Sequence, residues 1–213
     1  IGGTVYLHTT KGAPRGRVVA ADVSDPGFAS WREVVPERSD AVIESIAFGL
    51  DCLAVTYLRR ASSVVEVFDR SGRPRGAVRQ PGIGTVVVAC EPDRSLAFLQ
   101  FTSFNHPTTI FRVDLRHPEA EGAVWAKPAV PVDPSDIRVE QVSYASKDGT
   151  PISMFLVRRS DLDRTGDAPT LLYGYGGFNV NLTPAFSPTL APWLQAGGIF
   201  AVPNLRGGGE YGD

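Results

Sequence analysis

The 213-residue sequence predicts the last blades of a β-propeller followed by the beginning of an α/β domain. A strand–turn–strand unit that ends on an aspartate recurs three times before residue 125. A stretch with several prolines follows near residue 130. After it, apolar strands run into glycine-rich loops on either side of a helical segment. Repeats of about 40–50 residues indicate propeller blades, and strands alternating with a helix indicate an α/β domain. We therefore predict propeller blades over residues 1–130 and an incomplete α/β domain over residues 131–213.

The repeated unit is an alternating strand, a polar or proline-bearing turn, and a second strand. The second strands end on Asp22, Asp69 and Asp114, which are 47 and 45 residues apart. A period of about 40–50 residues with several strands per unit is typical of propeller blades. Further strand candidates at 41–46 and 84–89 bring each unit toward four strands. A β-sandwich with coincidental spacing is the alternative.

The repeated aspartates could be metal ligands or catalytic carboxylates. An aspartate at a strand end more often forms a local Asx-turn, so we expect Asx-turns at these positions. Trp31 and Trp125 are expected in the core rather than on a substrate-binding surface.

The blades predicted here are too few to close a propeller, which needs about four. An open arc would leave strand edges unpaired, and folded proteins avoid such edges. We therefore expect this sequence to be a piece of a larger protein that supplies the remaining blades.

The second half begins after a linker that contains Pro128, Pro131 and Pro134. An alternating strand at 138–144 and a return strand at 152–157 flank an Asp-Gly pair, which is a hairpin signal. Residues 160–168 are expected to form a polar surface loop.

Two glycine-rich loops follow apolar strands in this half. The first glycine loop (residues 173–179) follows the strand that begins at Thr170, and the second glycine loop (residues 204–212) follows the strand at 199–204. A helix is predicted between them at 189–196, with Gly197 and Gly198 at its carboxyl end. Side chains at the carboxyl ends of such strands lie where open α/β sheets place their sites.

The chemistry of these loops has three candidate interpretations. Phosphate binding is disfavoured, because neither loop has the G-x-x-x-x-G-K-[ST] or the helix-opening G-x-G-x-x-G pattern. The glycines could simply permit tight turns against packed tyrosines. Alternatively, the loop after the third strand could supply an oxyanion donor, as in α/β-hydrolases. No G-x-S-x-G pentapeptide and no plausible Ser-His-Asp set occur in the 213 residues.

Composition argues against several other classes. The net charge is −2, and no basic cluster is interleaved with aromatic residues, so a nucleic-acid partner is not expected. No apolar run reaches the length of a membrane helix, so no membrane partner is expected. Cys52 and Cys90 are expected to be buried free thiols, although a disulfide stays open. No metal site or cofactor is predicted, and His8, His106 and His117 are expected at the surface.

Four segments together resemble the prolyl oligopeptidase family of serine peptidases. They are the two glycine loops, the turn Ser146-Lys147-Asp148-Gly149-Thr150, and Phe101-Thr102-Ser103-Phe104 in the third repeat. The resemblance covers essentially the whole chain, and its long glycine motifs are specific. It implies a seven-bladed propeller over an α/β-hydrolase domain, with the active site between them. It also implies cleavage of short peptides on the carboxyl side of proline.

The resemblance assigns roles to four residues of this sequence. Tyr175 would donate its hydroxyl to the oxyanion hole, and Phe178 would line the proline-binding pocket. Arg206 and Glu210 would be loop-scaffold or cavity-lining residues. The catalytic serine, aspartate and histidine of the family would lie downstream of Asp213, so none of the triad is expected in this chain.

Several alternatives stay open at this point. Oligopeptidase B and acylaminoacyl peptidases are sister enzymes, and a non-catalytic propeller-based binding protein is a rival from another class. The uninterrupted Tyr-Gly-Tyr-Gly-Gly-Phe of the first loop favours proline specificity. The expected partners are short proline-containing peptides and the remaining part of the same polypeptide, in a cytoplasmic protein that is monomeric when complete.

Overall fold

The computed structural model describes residues 2–130, 133–162 and 166–212 and contains four β-sheets. The first sheet consists of β1 (Thr4–Thr9), β2 (Arg17–Asp22) and β3 (Arg32–Val35). The second consists of β4 (Val42–Phe48), β5 (Cys52–Arg59), β6 (Ser62–Asp69) and β7 (Pro74–Ala77). The third consists of β8 (Thr85–Cys90), β9 (Leu96–Ser103), β10 (His106–Asp114) and β11 (Ala123–Ala126). Within each of these sheets, neighbouring strands are antiparallel and consecutive in the chain.

These three sheets are the predicted blades, and they stack face to face. The repeated units fall on the strand pairs β1–β2, β5–β6 and β9–β10. Strand β5 is almost completely buried because it faces a blade on each side. Its residues Leu53, Val55 and Tyr57 pack against the first blade. Cys52 and Ala54 point to the opposite face and pack against the third. The alternation of side chains along a strand thus supplies two cores from one sequence segment.

The three repeated aspartates form the predicted Asx-turns. Oδ1 of Asp22 accepts a 2.8 Å hydrogen bond from the Ser24 N–H, and Oδ1 of Asp69 accepts the same bond from Ser71. Asp114 accepts from the Arg116 N–H at 3.1 Å. The Ser71 hydroxyl and nearby backbone N–H groups lower the pKa of Asp69 to about 2. These hydrogen bonds favour the ionised carboxylate.

The pKa of Asp69 predicts a pH-dependent contribution to stability. Its folded pKa lies below the ordinary value of 3.8, so the stabilisation is present above that value and is lost as pH falls toward about 2. We expect Asp69→Asn to lower the thermal midpoint at pH 7, with the gap to wild type narrowing between about pH 4 and pH 2. Thermal unfolding of both proteins across this range tests the prediction, and a gap that stays constant down to pH 2 would contradict it.

The predictions for the tryptophans and cysteines have mixed outcomes. Trp125 is 61% exposed, so its predicted place in the core is wrong. It lies on β11, the outermost strand of the third blade, whose residues are all exposed. Trp31 is partly buried and donates from Nε1 to the Pro26 carbonyl at 2.9 Å. Cys52 and Cys90 are free thiols, and Cys90 is only partly buried.

The fourth sheet contains a hairpin and two parallel strands. It consists of β12 (Ile137–Ala145), β13 (Pro151–Arg159), β14 (Thr170–Leu172) and β15 (Ile199–Pro203). The spatial order is β12-β13-β15-β14, and only β14 and β15 among these neighbours run parallel. The α-helix α1 (Ala191–Gln195) lies between them in the chain. It is shorter than the predicted 189–196, because Pro188–Leu190 forms a 3-10 turn before it.

The structure describes the predicted linker and polar loop only in part. Pro134–Asp136 forms a short 3-10 turn just before β12. Pro131 of the predicted linker lies outside the described residues, as do residues 163–165 of the predicted polar loop. Within the described part of the chain, no helical segment has the length and apolarity that a membrane crossing needs.

Two blades contact the fourth sheet through equivalent hairpin turns. Ala61, in the turn between β5 and β6, is fully buried in the core of that sheet although its φ is +60°. Phe104, in the turn between β9 and β10, packs its ring against Phe155 and Phe200 at centroid distances of 5.5 and 6.0 Å. The propeller therefore covers one side of the fourth sheet through equivalent turns of successive blades.

Candidate active site

The two glycine loops lie side by side at one edge of the fourth sheet. Strands β14 and β15 are parallel neighbours, with Thr170 opposite Ile199 and Leu172 opposite Ala201. The loops that follow them therefore start at the same edge, as expected for a site at the carboxyl ends of parallel strands. Isolated bridges between Tyr175 and Asn204, and between Asn179 and Gly208, continue this pairing into the loops.

The loops touch through their backbones, which explains two of the glycines. The Asn179 N–H donates a 3.0 Å hydrogen bond to the Gly207 carbonyl oxygen. A Cβ on Gly207 would lie 1.9 Å from the carbonyl oxygen of Gly176, and one on Gly176 would lie 2.5 Å from that of Arg206. Neither position has room for a side chain, so each loop fixes the path of the other.

Tyr175 stands at the centre of the first glycine loop. Its side chain is 39% exposed, and its hydroxyl oxygen lies 3.0 Å from the position that a Cβ on Gly177 would occupy. Within residues 2–130, 133–162 and 166–212, this hydroxyl has no hydrogen-bond partner. The O–H group is therefore available to donate to an external acceptor.

Phe178 projects from the same loop. Its side chain is 94% exposed, and it adopts a φ of +55°, followed by Asn179 at +59°. Two successive non-glycine residues in the left-handed region are uncommon, and such strain often occurs where a side chain is presented for function. Because the ring is almost completely exposed, its predicted role as a pocket wall stays a prediction.

Arg206 anchors the second glycine loop to the hairpin turn between β12 and β13. Its guanidinium nitrogens contact the two carboxylate oxygens of Asp148 at 2.7 and 3.2 Å and the Ser146 hydroxyl at 2.9 Å. The Arg206 hydrogen bond is the main cause that lowers the pKa of Asp148 to about 2. Such a two-pronged contact fixes orientation as well as distance.

Glu210 is buried under the second glycine loop, with 3% of its surface exposed. Its Oε2 lies 2.4 Å from the position of a Cβ on Gly208, and Oδ1 of Asn181 and the Val180 carbonyl oxygen each lie 3.0 Å from the same point. The Glu210 carboxylate thus lies against Gly208, beneath the loop.

Asn204 is a buried structural residue whose role is not predicted from the sequence. Its Nδ2 donates to the Leu182 carbonyl at 3.0 Å, its Oδ1 accepts from the Ser153 hydroxyl at 3.3 Å, and its own N–H donates to the Ser153 carbonyl at 2.9 Å. It ties the start of the second glycine loop to β13. Asn204 is the first residue of the second glycine loop, so its position is visible in the sequence. Spacing alone, however, does not show whether an amide side chain is buried or exposed.

The remaining candidate groups are acidic side chains, the histidines and one groove. Among the residues that the structure describes, no cluster of three or more His, Cys, Asp or Glu side chains could hold a metal ion. His8 and His117 are exposed as predicted, whereas His106 is partly buried with its ring 5.1 Å from that of Phe101. A groove of about 490 Å³ runs beside β14 and is lined by Leu172, Tyr173 and other apolar residues.

Comparison with known proteins agrees with the resemblance. The sequence profile of the prolyl oligopeptidase N-terminal β-propeller domain matches residues 1–125. A prolyl endopeptidase of Elizabethkingia miricola is 38% identical over 212 residues, which are 99% of this chain and 30% of the relative. Prolyl oligopeptidase A of Amanita bisporigera is 35% identical, with 100% and 28% covered. The chain thus spans about 30% of the length of the relatives it matches.

Solved structures give the same picture. A prolyl endopeptidase from a structural and mechanistic analysis of two such enzymes superposes with a TM-score of 0.91 at 46% identity, covering 100% of this chain and 31% of the other. Prolyl oligopeptidase B from Galerina marginata, bound to a 25-residue macrocyclization substrate, superposes with a TM-score of 0.88 at 33% identity, covering 100% and 30%. The similarity therefore extends over the fourth sheet and both glycine loops as well as the blades.

Proposed function

Because the chain belongs to the prolyl oligopeptidase family, we propose that it is part of a serine peptidase that hydrolyses short peptides on the carboxyl side of proline. The relatives are named prolyl endopeptidases and oligopeptidases, and this chain corresponds to about 30% of their length. The nucleophile and its general base would come from residues outside 1–213. This chain would contribute blades, part of the catalytic domain and one side of the active site.

The observation on which this proposal depends is the pairing of the two glycine loops. Tyr175 has an unpartnered hydroxyl, and the loop that holds it is fixed by backbone contact with its neighbour. A pre-positioned donor at a strand end is what acyl transfer requires, because negative charge develops on the carbonyl oxygen in the transition state. Phosphate binding gains no support from this geometry, since the first loop leads into a coil segment rather than a helix.

The fourth sheet supports an α/β-hydrolase assignment for this part of the chain. In chain order β14 is its third strand, and the first glycine loop follows it directly. In α/β-hydrolases the loop after the third strand supplies an oxyanion-hole donor. We propose that residues 131–213 begin such a domain, and that residues 1–130 are the last blades of a seven-bladed propeller that covers it.

The proposed reaction assigns a role to each part of the site. A serine outside this chain attacks the carbonyl carbon of the proline residue, and the serine hydroxyl proton passes to a histidine. The Tyr175 hydroxyl and the backbone N–H that follows the serine donate to the resulting oxyanion. The C–N bond then breaks with protonation of the amine, and water hydrolyses the acyl-enzyme. Phe178 packs against the pyrrolidine ring of the substrate.

A substrate panel tests this proposal on the full-length protein. Chromogenic peptides with proline, with arginine or with a blocked acetyl-amino acid before the scissile bond separate the prolyl, oligopeptidase B and acylaminoacyl activities. We expect kcat/KM to be highest for the proline peptide. Preference for arginine or for the acetylated peptide would replace the proposed specificity with that of a sister enzyme. Absence of hydrolysis of all three would favour a propeller-based binding protein.

Replacing Phe178 with alanine tests the proline wall. The side chain is 94% exposed, so its removal should change the free energy of unfolding by only about 0.5 kcal/mol. Alanine keeps a Cβ at this strained position, so the backbone strain is about the same in the variant and in the wild type. We expect the preference for proline over alanine, measured as a ratio of kcat/KM values, to fall about 3- to 10-fold through lost ring packing. Equal losses for both substrates, tracking a lower melting temperature, would contradict the assignment.

A further inference from the structure

Arg15 contacts the second glycine loop from the propeller. Its Nε donates a 2.9 Å hydrogen bond to the Tyr211 carbonyl oxygen. Its Cγ lies 2.8 Å from the position that a Cβ on Gly212 would occupy. Arg15 belongs to the turn between β1 and β2. The equivalent turns of the other two blades, which contain Ala61 and Phe104, pack instead into the core of the fourth sheet. The first blade therefore contacts the catalytic side of this domain in a different way.

The backbone of Arg15 is held firmly between two blades. Its N–H donates a 2.7 Å hydrogen bond to the Glu37 carboxylate, and its carbonyl oxygen accepts from the Ile43 N–H at 2.9 Å. Gly16 follows with a φ of +85° and with His8 Nε2 only 2.7 Å from where its Cβ would lie. The Arg15 side chain therefore reaches the Tyr211 carbonyl from a backbone that is hydrogen-bonded on both sides.

The contact point is connected to Tyr175 through the two glycine loops. Tyr211 directly follows Glu210, whose buried carboxylate lies against Gly208. Gly207 in turn accepts the hydrogen bond from the Asn179 N–H, at the far end of the Tyr175 loop. A continuous series of contacts therefore runs from Tyr211 to the loop that holds Tyr175.

We propose that Arg15 is a positioning residue for Tyr175, through which the first blade fixes the oxyanion donor. This rests on the proposed function, in which Tyr175 stabilises the transition state. Arg15 does not touch the substrate in this proposal. It holds the second glycine loop in the position in which that loop pairs with the first. The position of the first blade is thereby linked to the position of the Tyr175 hydroxyl.

The kinetic test uses Arg15→Ala in the full-length peptidase, with Arg17→Ala as the matched control. Arg17 is in the same blade, but its guanidinium donates to the Lys11 backbone carbonyl oxygen and to the Glu33 carboxylate within that blade. Because a misplaced transition-state donor affects kcat more than ground-state binding, we expect Arg15→Ala to lower kcat roughly 10-fold with KM changed by less than about 2-fold. Arg17→Ala should leave kcat at the wild-type value. An unchanged kcat in Arg15→Ala would overturn the proposal.

A double-mutant cycle separates positioning from a general loss of stability. If Arg15 acts through Tyr175, adding Arg15→Ala to Tyr175→Phe should cause no further loss of kcat. A full additional 10-fold loss would show that Arg15 acts by another route and would overturn the proposal.

Hydrogen exchange gives a readout that does not depend on activity. Amides of residues 173–179 and 204–212 should exchange faster in Arg15→Ala and at the wild-type rate in Arg17→Ala. Unchanged exchange in both loops would overturn the proposed coupling. If Tyr175→Phe alone retained full kcat, the oxyanion role in the proposed function would fail, whereas the exchange result would still decide whether Arg15 holds the loops.

Discussion

The Tyr175→Phe variant of the full-length peptidase is expected to lose about 10²- to 10³-fold in kcat, the usual effect of removing one oxyanion-hole donor. Substrate affinity should change less, because the oxyanion exists in the transition state and not in the bound substrate. The side chain is 39% exposed and its hydroxyl has no hydrogen-bond partner in the described ranges, so the deletion should not disturb the fold. Single-turnover measurement of acylation gives the relevant rate constant.

Tyr173→Phe is the matched control, since Tyr173 belongs to the same loop and is 53% exposed. Tyr173 lines the groove beside β14, whereas neither Gly177 nor Tyr175 lines it. We expect its kcat to stay within about 2-fold of wild type. If Tyr175→Phe matched this control while acylation limits the rate, Tyr175 would not be the donor.

Local periodicity explains why the blades were predictable. The alternation of side chains, the turns and the closing aspartates are all set within about ten residues, so Asp69 and its Ser71 partner follow from the sequence. Ala61 also lies in a predictable turn, but nothing in the sequence says that this turn inserts into another core. The prediction that Trp125 is in the core was wrong because its burial depends on which strand is outermost in the blade, and local pattern does not give that.

In the candidate site, too, the features set by local sequence were predictable and the long-range contacts were not. The loop with Tyr175 and Phe178 could be located because glycines alternate with aromatic residues directly after a strand. The contact between Arg206 and Asp148 joins the second glycine loop to the turn between β12 and β13, but their proximity depends on β13 lying beside β15. Arg15 could not be found at all, because it is separated from Tyr211 by 196 residues and belongs to a different architecture. Long-range contacts of this kind follow from topology and not from local pattern.

Replacing Gly207 with alanine should have the largest structural effect of any single methyl group in the loops. Gly207 has a φ of +103°, and its added Cβ would lie 1.9 Å from the Gly176 carbonyl oxygen. The backbone strain alone costs about 1–3 kcal/mol, and the overlap adds about 1–3 kcal/mol unless the loops separate. We expect a lower free energy of unfolding together with a loss of activity, because relief of the overlap moves the Tyr175 loop. Urea unfolding and kcat on the same samples measure both effects.

Gly197→Ala isolates the contribution of the overlap. Gly197 also has a positive φ, +88°, but its added Cβ would meet no atom within 4 Å. Its substitution should therefore cost only the strain of the left-handed backbone, about 1–2 kcal/mol, and should leave kcat unchanged. The difference between the two variants is the energy of forcing the glycine loops apart. If both lost equal stability and both kept full activity, the close backbone contact at Gly176 would not be what places Tyr175.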